Sequence, residues 1–240
     1  MSDELSKPLP TTARLSLGRV ESFVATQDQL DFRLDHALAR DAVHAQLDVS
    51  ALAAGLKERG LRTLNLRSAA PDRSSYLRRP DLGRLLATDS IHAIEVADAG
   101  EVETAIILAD GLSALAIERQ ALPLLDALLP ILPNLCPLVP IVANARVAVG
   151  DEIGQRLGAK LTVLLIGERP GLSSSDSLGV YITWHPRTGR TDAERNCISN
   201  IRAKGLSFED AAQRILYFVS EAIRLQTSGT ALKEPSLLLG

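Results

Sequence analysis

The sequence predicts an α/β protein in which a Rossmann-like parallel sheet domain is preceded by a smaller, mostly helical N-terminal domain. Two observations carry this. Short apolar runs at residues 105–109, 138–143 and 161–166 have the length and unbroken hydrophobicity of strands covered on both faces. Helical spacing lies between them, and strand, helix, strand at this interval is the pattern of a parallel sheet. Upstream of residue 94 the spacing is instead mainly helical, with one short alternating run. The expected division is therefore a tail over 1–28, a mostly helical domain over 29–93 and the sheet domain over 94–240.

Residues 1–20 carry Pro8, Pro10 and several Ser and Thr with little apolar periodicity, and stay outside the expected core. From Asp31 the positions of Leu34, Ala37, Leu38, Ala42 and Ala45 have helical spacing; Leu52 and Leu56 extend a second helical pattern that stops at Gly60. Residues 61–66 alternate and read as a short strand. Residues 70–84 are dense in turn formers and charges, which predicts a connector with one short helix after Pro80. The run 105–109 ends at Asp110-Gly111 and leads into a helix marked by Leu112, Leu115 and Ala116. A helix over 151–157 separates the next two strands, and residues 180–184 supply a fourth. Thr191 and Glu194 have capping-box spacing, predicting a helix with Ala193, Cys197, Ile198 and Ile201 on one side. A last helix follows Gly205, capped by Ser207 and Asp210, with a buried stripe from Phe208 to Ile223 and Gly229 just beyond its end.

Composition narrows the function. With 46% hydrophobic and 23% charged residues in 240, disorder is excluded over most of the length. A net charge of −3 supplies no overall field for phosphate backbones, so no nucleic-acid partner is expected. Two cysteines, Cys136 and Cys197, show no CxxC or zinc-ligand spacing, which fits a reduced, cytoplasmic protein without a metal site. The apolar stretch 121–149 is broken by Asp126 and five prolines, so no membrane span is expected. The acidic N-terminus has no signal-peptide run.

Ligands of open parallel sheets bind at the carboxyl ends of the strands, and three segments have the chemistry for it. Asp110-Gly-Leu-Ser-Ala offers a tight turn and a helix N-terminus, or an ordinary strand-to-helix connection. The loop from Ile166 through Gly179, with three glycines, a proline and four serines, places Glu168 beside Arg169 and is richer in donors than connection requires. In Arg195-Asn-Cys-Ile-Ser-Asn-Ile-Arg202 two asparagines in an expected helix need a reason beyond propensity. Cys197 reads either as a small buried hydrophobe or as part of that site, and nothing adjacent marks it as a nucleophile. His36, Arg40 and His44 share one helix face, a pattern that favours packing or an interface over metal. Asp151 and Glu152 suit the start of a helix as dipole-stabilising charges. GxGxxG, GxxxxGK[ST] and GxSxG are absent, which removes the usual support for nicotinamide, P-loop and serine-hydrolase readings.

Six segments in order resemble one family: Leu34-Asp-His-Ala-Leu-Ala-Arg-Asp-Ala-Val-His44, Asp72-Arg73 with Tyr76-Leu-Arg-Arg-Pro-Asp-Leu-Gly-Arg84, Ala109-Asp-Gly-Leu-Ser-Ala114, Arg146-Val-Ala-Val-Gly-Asp-Glu-Ile-Gly154, Ile166-Gly-Glu-Arg-Pro-Gly-Leu-Ser-Ser174 and the Arg195–Arg202 string. Together, from about residue 29 onward, they resemble the light chain of ethanolamine ammonia-lyase. The resemblance implies an adenosylcobalamin-dependent lyase that converts ethanolamine to acetaldehyde and ammonia by radical chemistry. It implies a hetero-oligomer in which a large subunit holds the substrate and this chain, with no catalytic residue of its own, helps clasp the cobalamin at the interface. The cobalamin contacts it carries over are Val147, Glu168 and Cys197, with no metal ligand from this chain. The segment before residue 29 is shorter than in many enteric members, where that region is linked to packaging in a bacterial microcompartment. A different class of reading is a non-catalytic corrinoid-binding or scaffold module that has kept the fold. An independent nucleotide-binding enzyme lacks the phosphate-loop signatures.

Overall fold

The computed structural model describes residues 19–20, 23–24 and 26–234, so most of the expected 1–28 tail lies outside the described residues. What precedes the first helix is a short antiparallel pair, β1 (Arg19–Val20) and β2 (Phe23–Val24). Helix α1 (Thr26–His44) follows. Its apolar residues do not reach the core as their spacing predicts: Ala42 is buried, while Leu30, Phe32, Leu34 and Leu38 are exposed. Helix α2 (Val49–Glu58) is started by Asp48, whose carboxylate accepts the Ala51 N–H at 2.9 Å, and it buries Leu52 and Leu56.

One sheet organises the rest. Strands β3 (Arg62–Arg67), β4 (Thr104–Ala109), β5 (Leu138–Ala143), β6 (Leu161–Gly167), β7 (Leu178–Trp184) and β8 (Asn196–Ile201) lie in the order β3-β5-β4-β6-β7-β8. The alternating run at 61–66 is thus the sheet's edge, so the sheet draws a strand from the 29–93 segment. The first four strands in that order are parallel. The fully parallel sheet expected from the sequence is corrected beyond β6, because β7 runs antiparallel to β6 and β8 antiparallel to β7. Residues 168–177 join β6 to β7 without a helix, and a parallel return needs a longer, usually helical, crossover.

Side chains alternate between two cores. Ile106 and Leu108 of β4 face α2, α5 (Ala114–Leu128) and α7 (Phe208–Leu225), whereas Ala105, Ile107 and Ala109 face α4 (Thr88–Glu95) and α6 (Val149–Arg156). The 70–84 connector holds α3 (Arg73–Arg78), capped by Asp72, ahead of the short helix expected after Pro80, which is a single 3-10 turn at Leu82–Arg84.

The largest correction is at 195–202, where a strand replaces the expected helix. Thr191 and Glu194 do engage, the Glu194 carboxylate accepting the Thr191 N–H at 2.7 Å, but they close only a 3-10 turn, Asp192–Glu194. Arg195 then becomes extended and is buried, its guanidinium bound to Asp151, to Asp192 at 2.7 Å and to the Arg190 carbonyl at 2.9 Å. Free backbone on β7 and poor helix formers in 196–200 complete the switch. Asp151 is accordingly no exposed helix-opening charge: it is buried in this pair, and burial raises its carboxyl above the usual range while Arg195 opposes that. Glu152 instead accepts the Leu86 N–H at 3.0 Å and pairs with Arg156. At the end of α7, the left-handed residue is Gln226 (φ 53°), ahead of Gly229.

Candidate functional site

In the strand order β5-β4-β6-β7 the chain runs from β4 to its neighbour β5 on one side and from β6 to its neighbour β7 on the other, so the loops after the adjacent strands β4 and β6 part from each other. That divergence opens a crevice at the carboxyl ends. Two glycines let the ends close on each other. Gly111 has φ 55°, and a Cβ there would lie 2.1 Å from the Gly167 carbonyl oxygen; a Cβ on Gly167 would lie 2.0 Å from the Ser113 oxygen. The Leu112 N–H donates to the Gly167 oxygen at 3.0 Å.

Beneath the crevice sits Asp110. Its buried carboxylate accepts N–H bonds from Asn144 at 2.9 Å and Ala145 at 3.0 Å, and from the Arg73 guanidinium at 3.1 Å. Burial pushes its carboxyl up, opposed by Arg73 and these N–H groups. Arg73 also donates to the Val43 and Gly111 oxygens and stacks 5.0 Å from the Tyr76 ring centroid. Tyr76 donates its hydroxyl to the Ala145 oxygen at 3.0 Å, and burial pushes its pKa up to about 12. Asp110 thus ties α3 to the loop after β5, and is a framework residue rather than part of the cavity wall.

Above this floor is a cavity of about 520 Å³. Leu112, Val147, Ala148 and Ile166 give it an apolar wall; Tyr76 and Arg84 come from the α3 region, Arg146 from the loop after β5, Glu168 and Arg169 from the end of β6. Tyr181 of β7 and Asp192 complete it. Glu168 is half-buried. Its Oε2 accepts the Ser177 hydroxyl at 2.5 Å and the Asn200 N–H at 3.3 Å, while Oε1 has no hydrogen-bond partner among the described residues.

Of the three contacts carried over from the resemblance, the structure brings Val147 and Glu168 to this one cavity. Cys197 is not on its wall. It is an exposed residue of β8, in register with Tyr181, with its sulfur 3.3 Å from the Ser199 hydroxyl. Burial, then the neighbouring Cys197, raises the Tyr181 phenol above its ordinary range. The serine-rich loop borders the site, anchored by Arg202 on the Ser173 oxygen at 3.1 Å and Arg119 on Asp176 at 3.2 Å. His36 and His44 lie exposed on α1, and no group of three or more metal-ligating side chains occurs among the described residues. Sequence reasoning did not single out Tyr76, Arg84, Arg146 or Tyr181. The first three stand in the segments that carry the resemblance, and position alone, three and four residues past a strand end, marks Arg146 and Val147 hardly at all before the strand end is known.

The chain is thus an open α/β-sheet protein with an arginine-edged cavity at its switch point, lined, among the described residues, by no histidine, cysteine or serine. The chain belongs to the ethanolamine ammonia-lyase light-chain family. The family model for the ethanolamine ammonia-lyase light chain (EutC) matches residues 4–233. Over 230 residues, 93% of this chain, it is 54% identical to the ethanolamine ammonia-lyase small subunit of Pseudomonas fluorescens, covering 84% of that protein. It is 53% identical to the small subunits of Pseudomonas aeruginosa and Azotobacter vinelandii, with 84% and 85% of those chains covered. A small subunit of a lyase implies a larger partner subunit. Among the described residues no helix is long and apolar enough to cross a membrane.

Proposed function

We propose that this chain is the small subunit of an adenosylcobalamin-dependent ethanolamine ammonia-lyase, and that it grips the cofactor at the interface with the large subunit. The free Oε1 of Glu168, on the edge of an apolar cavity at the strand ends, carries the reading. A corrin is a broad apolar disc fringed with amides, so it suits an apolar wall with one positioned acceptor. Val147 and Ile166 meet the disc; Glu168 accepts an amide proton, held in place by Ser177 and the Asn200 N–H. Cys197 meets the ligand along the β8 edge, beyond Tyr181. At about 520 Å³ the cavity takes only part of a corrinoid, so the large subunit covers the rest and holds the substrate.

When bound, adenosylcobalamin supplies the radical that begins conversion of ethanolamine to acetaldehyde and ammonia. This chain orients and shields. In this reading residues 94–240 are the cobalamin-contacting unit, its parallel half Rossmann-like, and the 29–93 segment closes one side through Tyr76 and Arg84. The complex works in the cytoplasm.

The test is ethanolamine deamination by this chain co-expressed with its large subunit, with and without adenosylcobalamin, beside Glu168→Ala. Activity should require both chains and the cofactor, and the variant should raise the apparent cofactor KM about tenfold or more, the scale of one hydrogen bond to a charged group. An assembled, cobalamin-loaded complex without deaminase activity would overturn the ethanolamine assignment.

A further inference from the structure

We infer that Arg84, Arg146 and Arg169 form an oxyanion subsite on the cavity rim, and that its ligand is the phosphodiester of the corrinoid's nucleotide tail. The inference rests on the corrinoid reading above and names which part of that ligand these side chains take.

Three guanidiniums and three carboxylates line the cavity, but their pairing is uneven. Three guanidiniums reach it from three segments of chain, and none has a carboxylate within ion-pair distance among the described residues. The rim's carboxylates are engaged elsewhere. Asp81 holds Arg79 through two bonds, at 2.9 and 2.6 Å, and Asp192 holds Arg195 at 2.7 Å. Only Glu168 remains, and one of its oxygens is already taken by Ser177 and Asn200.

An unpaired arginine on a convex surface is simply solvated. These three converge on a concavity, and Arg146 is fixed there. Its backbone N–H is bound to the Gly83 oxygen at 2.7 Å, beside Arg84, and its guanidinium lies 5.7 Å from the Tyr76 ring centroid. Tyr76 is itself immobilised between Arg73 and the Ala145 oxygen. A guanidinium stacked on an aromatic ring keeps its in-plane donors for forked contact with an oxyanion. The amides around a corrin are neutral and suit Glu168. The phosphodiester of the nucleotide tail carries a permanent negative charge, and is the group that matches three arginines.

The experiment is equilibrium dialysis of the complex with its large subunit against cobalamin, cobinamide phosphate and cobinamide, read by corrin absorbance. The last has neither phosphate nor base. Arg84→Gln with Arg169→Gln changes two exposed residues, and Arg146→Gln is tested separately, with Arg146→Lys as the charge-retaining control. The glutamine variants should weaken cobalamin and cobinamide phosphate about ten- to hundredfold and leave cobinamide unchanged, with partial recovery in the lysine variant. Equal weakening of all three ligands would overturn the inference, because the arginines would then hold the corrin or the partner subunit. Weakening of cobalamin alone would overturn it in favour of the base, and no weakening would overturn it outright. A wild-type complex that binds none of the three would overturn the corrinoid reading as well, which separates the two failures.

Discussion

Asp110→Ala removes the carboxylate that pins the floor of the cavity. The group is 2% exposed and serves three donors at once: the Asn144 and Ala145 N–H groups and the Arg73 guanidinium. Truncation leaves a buried cation without its counter-charge, and Arg73 already has one buried nitrogen, Nη2, without a hydrogen-bond partner. Breaking a buried pair from one side costs about 3–5 kcal/mol. For a chain of this length that lowers Tm by about 6–20 °C. Urea and thermal denaturation of the full chain, followed by circular dichroism, measure it. Arg73→Met in the same background removes the stranded charge, so the double variant should recover part of the loss, with a coupling of about 1–3 kcal/mol. Strictly additive losses, or an Asp110→Ala chain within about 1 kcal/mol of wild type, would refute the reasoning.

Gly167→Ala places a methyl 2.0 Å from the Ser113 oxygen and 2.5 Å from the Asp110 oxygen, so the strand end carrying Glu168 must move by roughly 1 Å; deamination by the assembled complex should drop about 100-fold, and wild-type activity would rule this out. Of the two thiols, Cys197 is exposed and Cys136 buried. Ellman's reagent should therefore modify one thiol per native chain quickly and the second only on unfolding, with the fast phase absent in Cys197→Ser. Glu194 has a carboxyl lowered from 4.5 to about 2 by the Thr191 N–H, then by Arg190 and the Thr191 hydroxyl. A depressed folded-state pKa stabilises above the unfolded value and is lost as pH falls through the folded one. The stability gap between wild type and Glu194→Gln should thus be full at pH 7 and close between pH 4.5 and 2; a gap independent of pH would contradict it.

What the sequence made legible follows from periodicity. Strands β4, β5 and β6 are buried on both faces, so each reads as an unbroken apolar run, and the glycines and polar residues after them mark where the chain turns. Strand direction leaves no such trace, so the run at 180–184 shows a strand without showing that β7 is antiparallel to β6. Strand β8 was hidden for a different reason. Asn196, Ile198 and Ile201 are its buried positions, and a register irregularity opposite 178–180, with Asn200 at φ 62°, shifts the last of them out of alternation. The resulting spacing of Ile198 and Ile201 is that of a helix face, and the Thr191/Glu194 pair reinforced the misreading. Glu168 stood out because it lies beside Arg169 in a loop whose glycines and serines offer more donors than connection requires. Arg84, Arg146 and Tyr181 did not, because they come together only when α3, the loop after β5 and β7 are assembled. In α1 the helical spacing was legible, but spacing says nothing of what covers a face, and Leu34 and Leu38 remain exposed.

The cavity takes its wall from the ends of β4, β5 and β6, from the 76–84 segment and from β7. No local opening of a single hairpin or helix preserves it. A molecule bound there is therefore linked to the cooperative unfolding of the whole sheet, and stabilises it by RT ln(1 + [L]/Kd), about 2.7 kcal/mol at a hundredfold excess over Kd. Amide hydrogen exchange in the middle of β4 and β6, far from any contact with ligand, should slow by that same factor. Occupancy of the cavity is in this way written into the slowest-exchanging amides of the protein.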